Sequence, residues 1–277
     1  MKKEKVYIGV EIKVREFDAK LFLAGVAAEA GYEVILGQQK LLKRRLEDLP
    51  PGIYLDKSVA ASKAARHRRL QRLGFAVVAQ DEEGLAFYNV EEYLKRRISA
   101  ETLSLVDYFF AWGSEQQQVV TQKASNRADR IVAVGHPRID LTRKELRAFY
   151  DADVQRVHDR YGSFILINTN FSLCNHALGK DVALDVLAKG GKIADEAHRK
   201  YYTELRAYKQ RLFDHFTEMI IRIKRQFPAI NIIVRPHPVE NHDYWRHILP
   251  DEPTIHVVHE GNILPWLLAA DVMIHNS

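Results

Sequence analysis

Cysteine is almost absent from this sequence. Cys174 stands alone among 277 residues, so no internal disulfide can staple the fold, and a reducing compartment is expected. With no evident base near it in sequence, Cys174 reads as packing rather than as a nucleophile. Long apolar runs are missing too. Nothing approaches the roughly 20 residues a spanning helix needs, and the opening MKKEKVYIGVEIKVREF holds too short an apolar segment for a signal peptide. These absences predict a cytoplasmic protein. There is no Gly-x-Gly-x-x-Gly and no phosphate-loop lysine motif, which argues against a dinucleotide oxidoreductase or a P-loop ATPase. His237, His242 and His247 have no cysteine partners and no tight ligand set, so no metal is expected. Neither sign of charge dominates. The 41 Lys+Arg exceed the 36 Asp+Glu by five, which compels no nucleic-acid partner and suits an anionic substrate or an anionic membrane surface equally well. The basic segments 40–45 and 63–72 read as solvated helix faces, with contact to anionic lipid headgroups as the alternative.

What the sequence does have is alternation. Apolar runs at 6–10, 34–36, 53–55, 75–79, 108–112, 131–134, 164–167, 232–234, 254–258 and at the end of the chain read as buried strands. Helical patterns fall between them at 18–30, 40–46, 58–73, 142–161, 183–227 and after Pro265, with Gly31 and Gly74 as C-terminal stops. The 183–227 segment is interrupted near Gly190 and continues from Glu196 without internal glycine or proline as one long helix. Strand–helix–strand units of this kind predict an α/β protein with parallel sheets. Two successive units, joined within the polar helix around 141–163, are the simplest division, and there is no internal repeat. The last residues read as a strand and the start of a loop whose covering helix is missing, so the chain is expected to be a fragment of something longer.

In open α/β sheets ligands bind beyond the carboxyl ends of the strands, so the polar loops there are the candidates. In the first half these are 11–18, 81–84, 112–115 and 135–140; in the second, 168–171, 235–241, 259–262 and 275–277. Asp81, Glu82 and Glu83 crowd three carboxylates behind a buried strand, which suits a general base; the alternative is an acidic cap for the next helix. Arg235-Pro236-His237-Pro238 is a stiffened turn whose arginine can fork onto a phosphate or carboxylate and whose histidine can donate a hydrogen bond; the alternative is a surface turn. Asn276 and Ser277 fit a phosphate site at a helix start or an ordinary cap. Glu260 and Asn262 fit a ribose contact or a glycine turn.

Taken in order, residues 11–28 (EIKVREFDAKLFLAGVAA), Asp81-Glu82-Glu83-Gly84-Leu85, Ala111-Trp112-Gly113, Gly135-His136-Pro137-Arg138-Ile139-Asp140, Ile167-Asn168-Thr169-Asn170-Phe171, Arg235-Pro236-His237-Pro238 and His275-Asn276-Ser277 resemble the bacterial surface carbohydrate biosynthesis family. Its members are glycosyltransferase-like proteins of GT-B type. More distantly, Glu82-Glu83-Gly84 and His237-Pro238 are similar to the acidic and His-Pro motifs of Kdo transferases and bacterial sialyltransferases. The resemblance implies two Rossmann-like domains facing a cleft, an acceptor-side domain at 1–145 and a nucleotide-sugar domain at 146–277 that is incomplete, because family members run on past the His-Asn-Ser loop.

It further implies a glycosyltransferase of surface polysaccharide biosynthesis (capsule or lipopolysaccharide). The donor would be a CMP-activated acidic sugar such as Kdo, entering as substrate with no metal or other cofactor. Glu82, with Asp81 and Glu83, would supply the base, or a nucleophile if configuration is retained, and His237 would complete the catalytic set against the leaving phosphate. Arg235, His237, Glu260, Asn262, Asn276 and Ser277 would hold the nucleotide, and Arg15, Glu11, Arg138, Asn168 and Asn170 the rest of the substrate. A glycan or glycolipid acceptor is implied as partner, with peripheral contact to the inner membrane or to other glycan assembly proteins, and no nucleic acid. The same fold leaves three alternatives open: a CDP-glycerol-type glycerophosphotransferase, a nucleotide-sugar epimerase, and a non-catalytic partner in a glycan assembly complex.

Overall fold

The computed structural model describes residues 4–87, 89–179 and 182–276. It divides into two compact units, 1–148 and 149–277. Each is built on one parallel sheet.

In the first unit six strands, β1 (Lys5–Val10), β2 (Glu33–Gln38), β3 (Ile53–Asp56), β4 (Ala76–Gln80), β5 (Tyr108–Ala111) and β6 (Ile131–Ala133), lie in the order β2-β1-β3-β4-β5-β6. Every pair is parallel, so every strand ends at the same side and the loops after β1, β3, β4 and β6 gather there. Parallel strands are covered on both faces and read as continuous apolar runs; Tyr7, Ile8, Tyr54, Val77, Ala79 and Phe109 are accordingly buried. Gly31 closes the first helix in the left-handed region (φ 97°). There its N–H and that of Tyr32 satisfy the carbonyls of Ala28 and Ala27, the cap a glycine makes possible.

In the second unit β7 (Phe164–Thr169), β8 (Asn231–Pro236), β9 (Ile255–Val257) and β10 (Val272–His275) form a parallel sheet in the order β10-β7-β8-β9. Side chains alternate faces along a strand, and the two cores follow that alternation. Ile167, Ile232 and Val234 face one cluster with Phe171, Phe213, Ile220 and Trp245. Phe164, Leu166 and Ile233 face another with Val157, Tyr161 and Trp266. Cys174 packs in the first cluster; burial and the nearby Glu240 push its thiol up to about 11. The long helix Glu196–Gln226 starts on Asp195, whose carboxylate accepts the His198 N–H at 2.8 Å. It lays Phe213, Ile220 and Lys224 on the sheet at helical spacing. Among the described residues no helix is long and apolar enough to cross a membrane.

Several boundaries differ from the sequence reading. The first helix starts at Lys13 rather than at 18, because the Glu16 carboxylate accepts the Glu11 N–H at 2.9 Å and closes the first turn. The polar segment 142–161 is not one helix: a 3₁₀ turn, Lys144–Tyr150, precedes the helix Asp151–Tyr161. The helix expected after Pro265 is Ile263–Ala269 and contains that proline in its first turn, where a missing N–H costs nothing. Helices Val90–Arg97, Ala100–Ser104 and Ser114–Thr121 are too short for their periodicity to stand out in the sequence.

Gly52 lies hard against the start of β1. A Cβ there would sit 2.5 Å from the Lys5 carbonyl oxygen, a backbone atom that cannot move aside. Gly52→Ala is expected to lower stability by about 1–3 kcal/mol through overpacking. Gly25→Ala, in the open middle of the first helix, is expected to raise it by roughly 1 kcal/mol from helix propensity alone. Urea denaturation of both variants checks the pair, and an unchanged Gly52→Ala midpoint contradicts the close approach.

Candidate functional site

The strand ends of the first unit surround a small pocket of about 20 Å³, open to solvent and lined by charged side chains among apolar ones. Its centre is Lys20. The ammonium is buried and donates to the Gly9 carbonyl at 2.7 Å and to Glu16 Oε2 at 2.7 Å, and pairs with Glu82 Oε1 at 3.1 Å. Glu16 in turn pairs through Oε1 with Lys57 at 3.0 Å, and Lys57 also meets Glu11. Burial alone would raise the Glu16 pKa, but the Glu11 N–H and the Lys20 and Lys57 ammoniums outweigh it and hold the carboxyl at about 2. Behind this layer Asp56 accepts from Arg66 and His67.

The three adjacent carboxylates do not act as a cluster, and none caps a helix, since the next one is capped by Asn89. Each meets a different cation. Asp81 is wholly buried, bound by Arg97 and by the Tyr93 hydroxyl at 3.0 Å, so its carboxylate serves the loop rather than a ligand. Glu83 is exposed and pairs with Arg15 at 3.1 Å. Glu82 alone points into the pocket while 6% exposed. Its Oε2 accepts no hydrogen bond among the described residues, although His136 Nε2 and Arg138 Nη1 stand 3.8 and 3.9 Å away.

His136 is held on three sides. Its ring stacks on Trp112 at 3.9 Å between centroids, its Nδ1 accepts the Arg138 N–H at 3.1 Å, and its side chain is 5% exposed. Burial first, then the charges of Arg138 and Lys20, push its pKa down to about 3, so it is neutral near pH 7. Trp112 is fixed in turn: its indole N–H donates to the Asp81 carbonyl at 2.6 Å, and its amide N–H donates to Gln116 Oε1 at 2.7 Å. A Cβ on Gly84 would fall on the Gln116 carboxamide and would push it away from the Trp112 N–H and the Tyr93 hydroxyl that it bonds.

In the second unit the organiser is a residue the sequence reading left out, Glu240. Buried at 1% exposure, its carboxylate accepts from Thr169 Oγ1 at 2.9 Å, the His237 N–H at 3.0 Å and Trp245 Nε1 at 2.9 Å. It thereby shapes the Arg-Pro-His-Pro turn. His237 itself is exposed, and its Nδ1 accepts the Val239 N–H at 3.4 Å, which leaves Nε2 outward as the donor. Arg235 is placed otherwise than a phosphate fork requires. Its guanidinium donates to the carbonyls of Glu260 and Gly261 at 2.8 and 2.7 Å and lies over Trp266. Burial, only partly offset by Glu260, brings its pKa down to about 10. Arg235 anchors the 259–262 loop. Asn262 caps the following helix through the Leu264 N–H at 3.0 Å, and Gly261 turns at φ 70°. Asn276 exchanges hydrogen bonds with the backbone of Asn170 at 2.7 and 3.2 Å. Asn168 has its Oδ1 buried and unpaired among the described residues. Ser277 lies outside the described residues.

Of the residues the sequence singled out, Glu82 and Arg138 line this pocket, whereas Arg15 and Glu11 do not; Glu16, Lys20, Lys57 and His136 line it and were not singled out. One signal was there. Glu16, Lys20 and Ala24 recur every four residues, so the charged pair lies on the buried stripe of its helix, where a charge requires a partner.

No known protein-family profile matches the sequence, and no curated protein matches it. Solved structures do. A UDP-GlcNAc 2-epimerase from Neisseria meningitidis bound to UDP-GlcNAc is similar over 100% of this chain and 78% of its own, at 13% identity and a TM-score of 0.56. The corresponding values for a UDP-GlcNAc 2-epimerase from Methanocaldococcus jannaschii are 100%, 79%, 12% and 0.59. For the S. aureus MnaA–UDP structure they are 100%, 74%, 12% and 0.58. At such identity the likeness shows the fold: two parallel-sheet α/β domains of GT-B-like kind. The expectation of a glycosyltransferase using a CMP-activated donor is corrected here. The neighbours are nucleotide-sugar epimerases, and no sequence match supports kinship with Kdo transferases.

Two measurements test the site's electrostatics. His136 is neutral when folded, with a pKa of about 3 against about 6.5 unfolded, so the unfolded chain takes up the proton first. Stability is therefore full above pH 6.5 and falls as pH drops toward 3. Glu16, depressed to about 2 from about 4.3, adds a loss only below pH 4.5. His136→Phe is expected to flatten the urea midpoint between pH 6.5 and 4.5 relative to the parent; an identical slope would contradict the buried neutral ring. Glu240→Ala leaves the Thr169 hydroxyl and the Trp245 indole N–H without an acceptor, while the His237 N–H keeps the Thr169 carbonyl, and is expected to cost on the order of 3 kcal/mol, measured by the same denaturation.

Proposed function

We propose that this chain binds a nucleotide-sugar and inverts one carbon of its sugar, as a nucleotide-sugar epimerase of GT-B-like fold. The observation that carries the reading is the likeness along the whole chain, at TM-scores of 0.56 to 0.59, to UDP-GlcNAc 2-epimerases from two organisms. The chemistry of the pocket supports it. Inverting a sugar carbon requires a bond to break on one face and re-form on the other, with a proton removed and returned. Glu82 is a carboxylate only 6% exposed with one oxygen unengaged, which suits it to accept that proton. Lys20 and Arg138 stabilise the charge that develops beside it. Arg15, Glu11 and Glu83 ring the same strand ends and contact the sugar's periphery.

In the second unit, taken by itself, His237, through Nε2, and the Asn168, Asn170 and Asn276 loops offer donors suited to a phosphate or a ribose. Arg235, Glu260 and Asn262 support that surface from beneath.

The test uses the full chain with UDP-GlcNAc and UDP. Saturation with a ligand at 100 times its Kd stabilises the folded state by about 2.7 kcal/mol, read as a rise in melting temperature. Proton NMR is expected to show the C2 epimer accumulating, and Glu82→Gln to slow it by roughly 10²–10⁴-fold, the usual contribution of a positioned acid or base. Absence of both a melting shift and an epimer would sink the reading.

A further inference from the structure

The pocket of the first unit contains one buried polar atom without a hydrogen-bond partner, faced by a second polar atom to which it is not bonded. Glu82 Oε2 accepts no hydrogen bond among the described residues. His136 Nε2 lies 3.8 Å from it, too far for a hydrogen bond. The tautomer follows from geometry: Nδ1 accepts the Arg138 N–H at 3.1 Å, so the proton of the neutral ring is on Nε2. An acceptor and a donor therefore stand side by side, both more than nine-tenths buried. Neither is free to swing away. The ring is pinned by Trp112, and the carboxylate by Lys20 on its other oxygen.

We infer that Glu82 Oε2 and His136 Nε2 form a hydroxyl-binding subsite, which takes one hydroxyl of a neutral sugar ring. A hydroxyl is the group that both gives and receives, and two bonds of about 2.8 Å each can meet across a 3.8 Å gap. Other ligand classes fit badly. A phosphate or carboxylate there meets the carboxylates of Glu82 and Glu16, and an ammonium meets the Nε2–H and the ammoniums of Lys20 and Lys57. Arg138 Nη1, 3.9 Å from Oε2, borders the subsite and is placed to donate to a neighbouring oxygen of the same ring. His136 is thus a specificity residue, one that favours a hydroxyl over hydrogen at that carbon. The nucleotide-sugar reading supplies only the identity of the molecule that carries the hydroxyl; the subsite stands on its own geometry.

The test is NMR of the histidine ring nitrogens in the ¹⁵N-labelled full chain, with His136→Phe to assign the resonance. The probes are N-acetylglucosamine, UDP-GlcNAc, UDP and inorganic phosphate. The expected result is an Nε2-protonated His136 whose Nε2 signal moves with N-acetylglucosamine and UDP-GlcNAc but not with UDP or phosphate. Loss of the bond in His136→Phe weakens the sugar's contribution to binding by about tenfold. Glu82→Gln, which keeps the shape but not the charge, is the second variant and weakens it by a similar factor. If UDP-GlcNAc binds and the His136 signal stays still, or if His136 carries its proton on Nδ1, the subsite is overturned while the functional reading survives. If N-acetylglucosamine moves the signal and UDP-GlcNAc neither binds nor reacts, the subsite stands and the functional reading falls. No response to any probe overturns both.

Discussion

A buried ammonium sets the terms for the first unit. Lys20 is out of water, and an unpaired charge there would cost several kcal/mol. Its three acceptors come from three parts of the chain: the carbonyl of Gly9 at the end of β1, Glu16 one turn earlier on the same helix, and Glu82 in the loop after β4. None of the three can move without stranding the charge, so the strand end, the helix start and the acidic loop are locked as one body. The same lock decides which carboxylate is exposed to chemistry. It consumes one oxygen of Glu82 and presents the other, while Arg97 and Arg15 draw its two neighbours elsewhere.

The second unit solves the equivalent problem with the sign reversed. Glu240 is a buried anion surrounded by neutral donors, a hydroxyl, an amide and an indole. Hydrogen bonds to the charged form are the strong ones, and here they join β7, the turn after β8 and the helix His242–Ile248. Both units therefore stiffen their strand-end loops with a desolvated charge. In the second that charge shapes the turn from beneath and leaves His237 at the surface.

Fold class and strand positions were largely legible, because parallel strands buried on both faces leave apolar runs, as in 75–79 and 232–234, that little else produces; the order of the strands within each sheet was not. The start of the first helix was not, because its closure depends on Glu16 reaching back to a backbone N–H. At the site, Glu82 and Arg138 were legible from loop position, but the division of labour among Asp81, Glu82 and Glu83 was not. Adjacent residues look alike in sequence, and only the partners brought from 15, 20 and 97 tell them apart. Arg235 was misjudged for a related reason. An arginine at a strand end suggests a ligand, and here its guanidinium is taken up by the carbonyls of Glu260 and Gly261, some 25 residues on. The donor chemistry inferred by resemblance went wrong at a different level: motifs that order a fold do not name the nucleotide it carries.

The sheet orders also fix a sequence of events during synthesis. In the first unit β3 adds to β1, and β4, β5 and β6 each add to the strand before, so from β3 onward the sheet grows outward as the chain lengthens. The second unit cannot proceed that way. Its first strand, β7, pairs on one side with β10, the last strand among the described residues, with Ile165 opposite Val272. One edge of β7 therefore waits through a 31-residue helix and two further strands for its partner. Long-range parallel pairing of this sort is slow and leaves an open edge meanwhile, so during translation the second unit is the one that depends on protection.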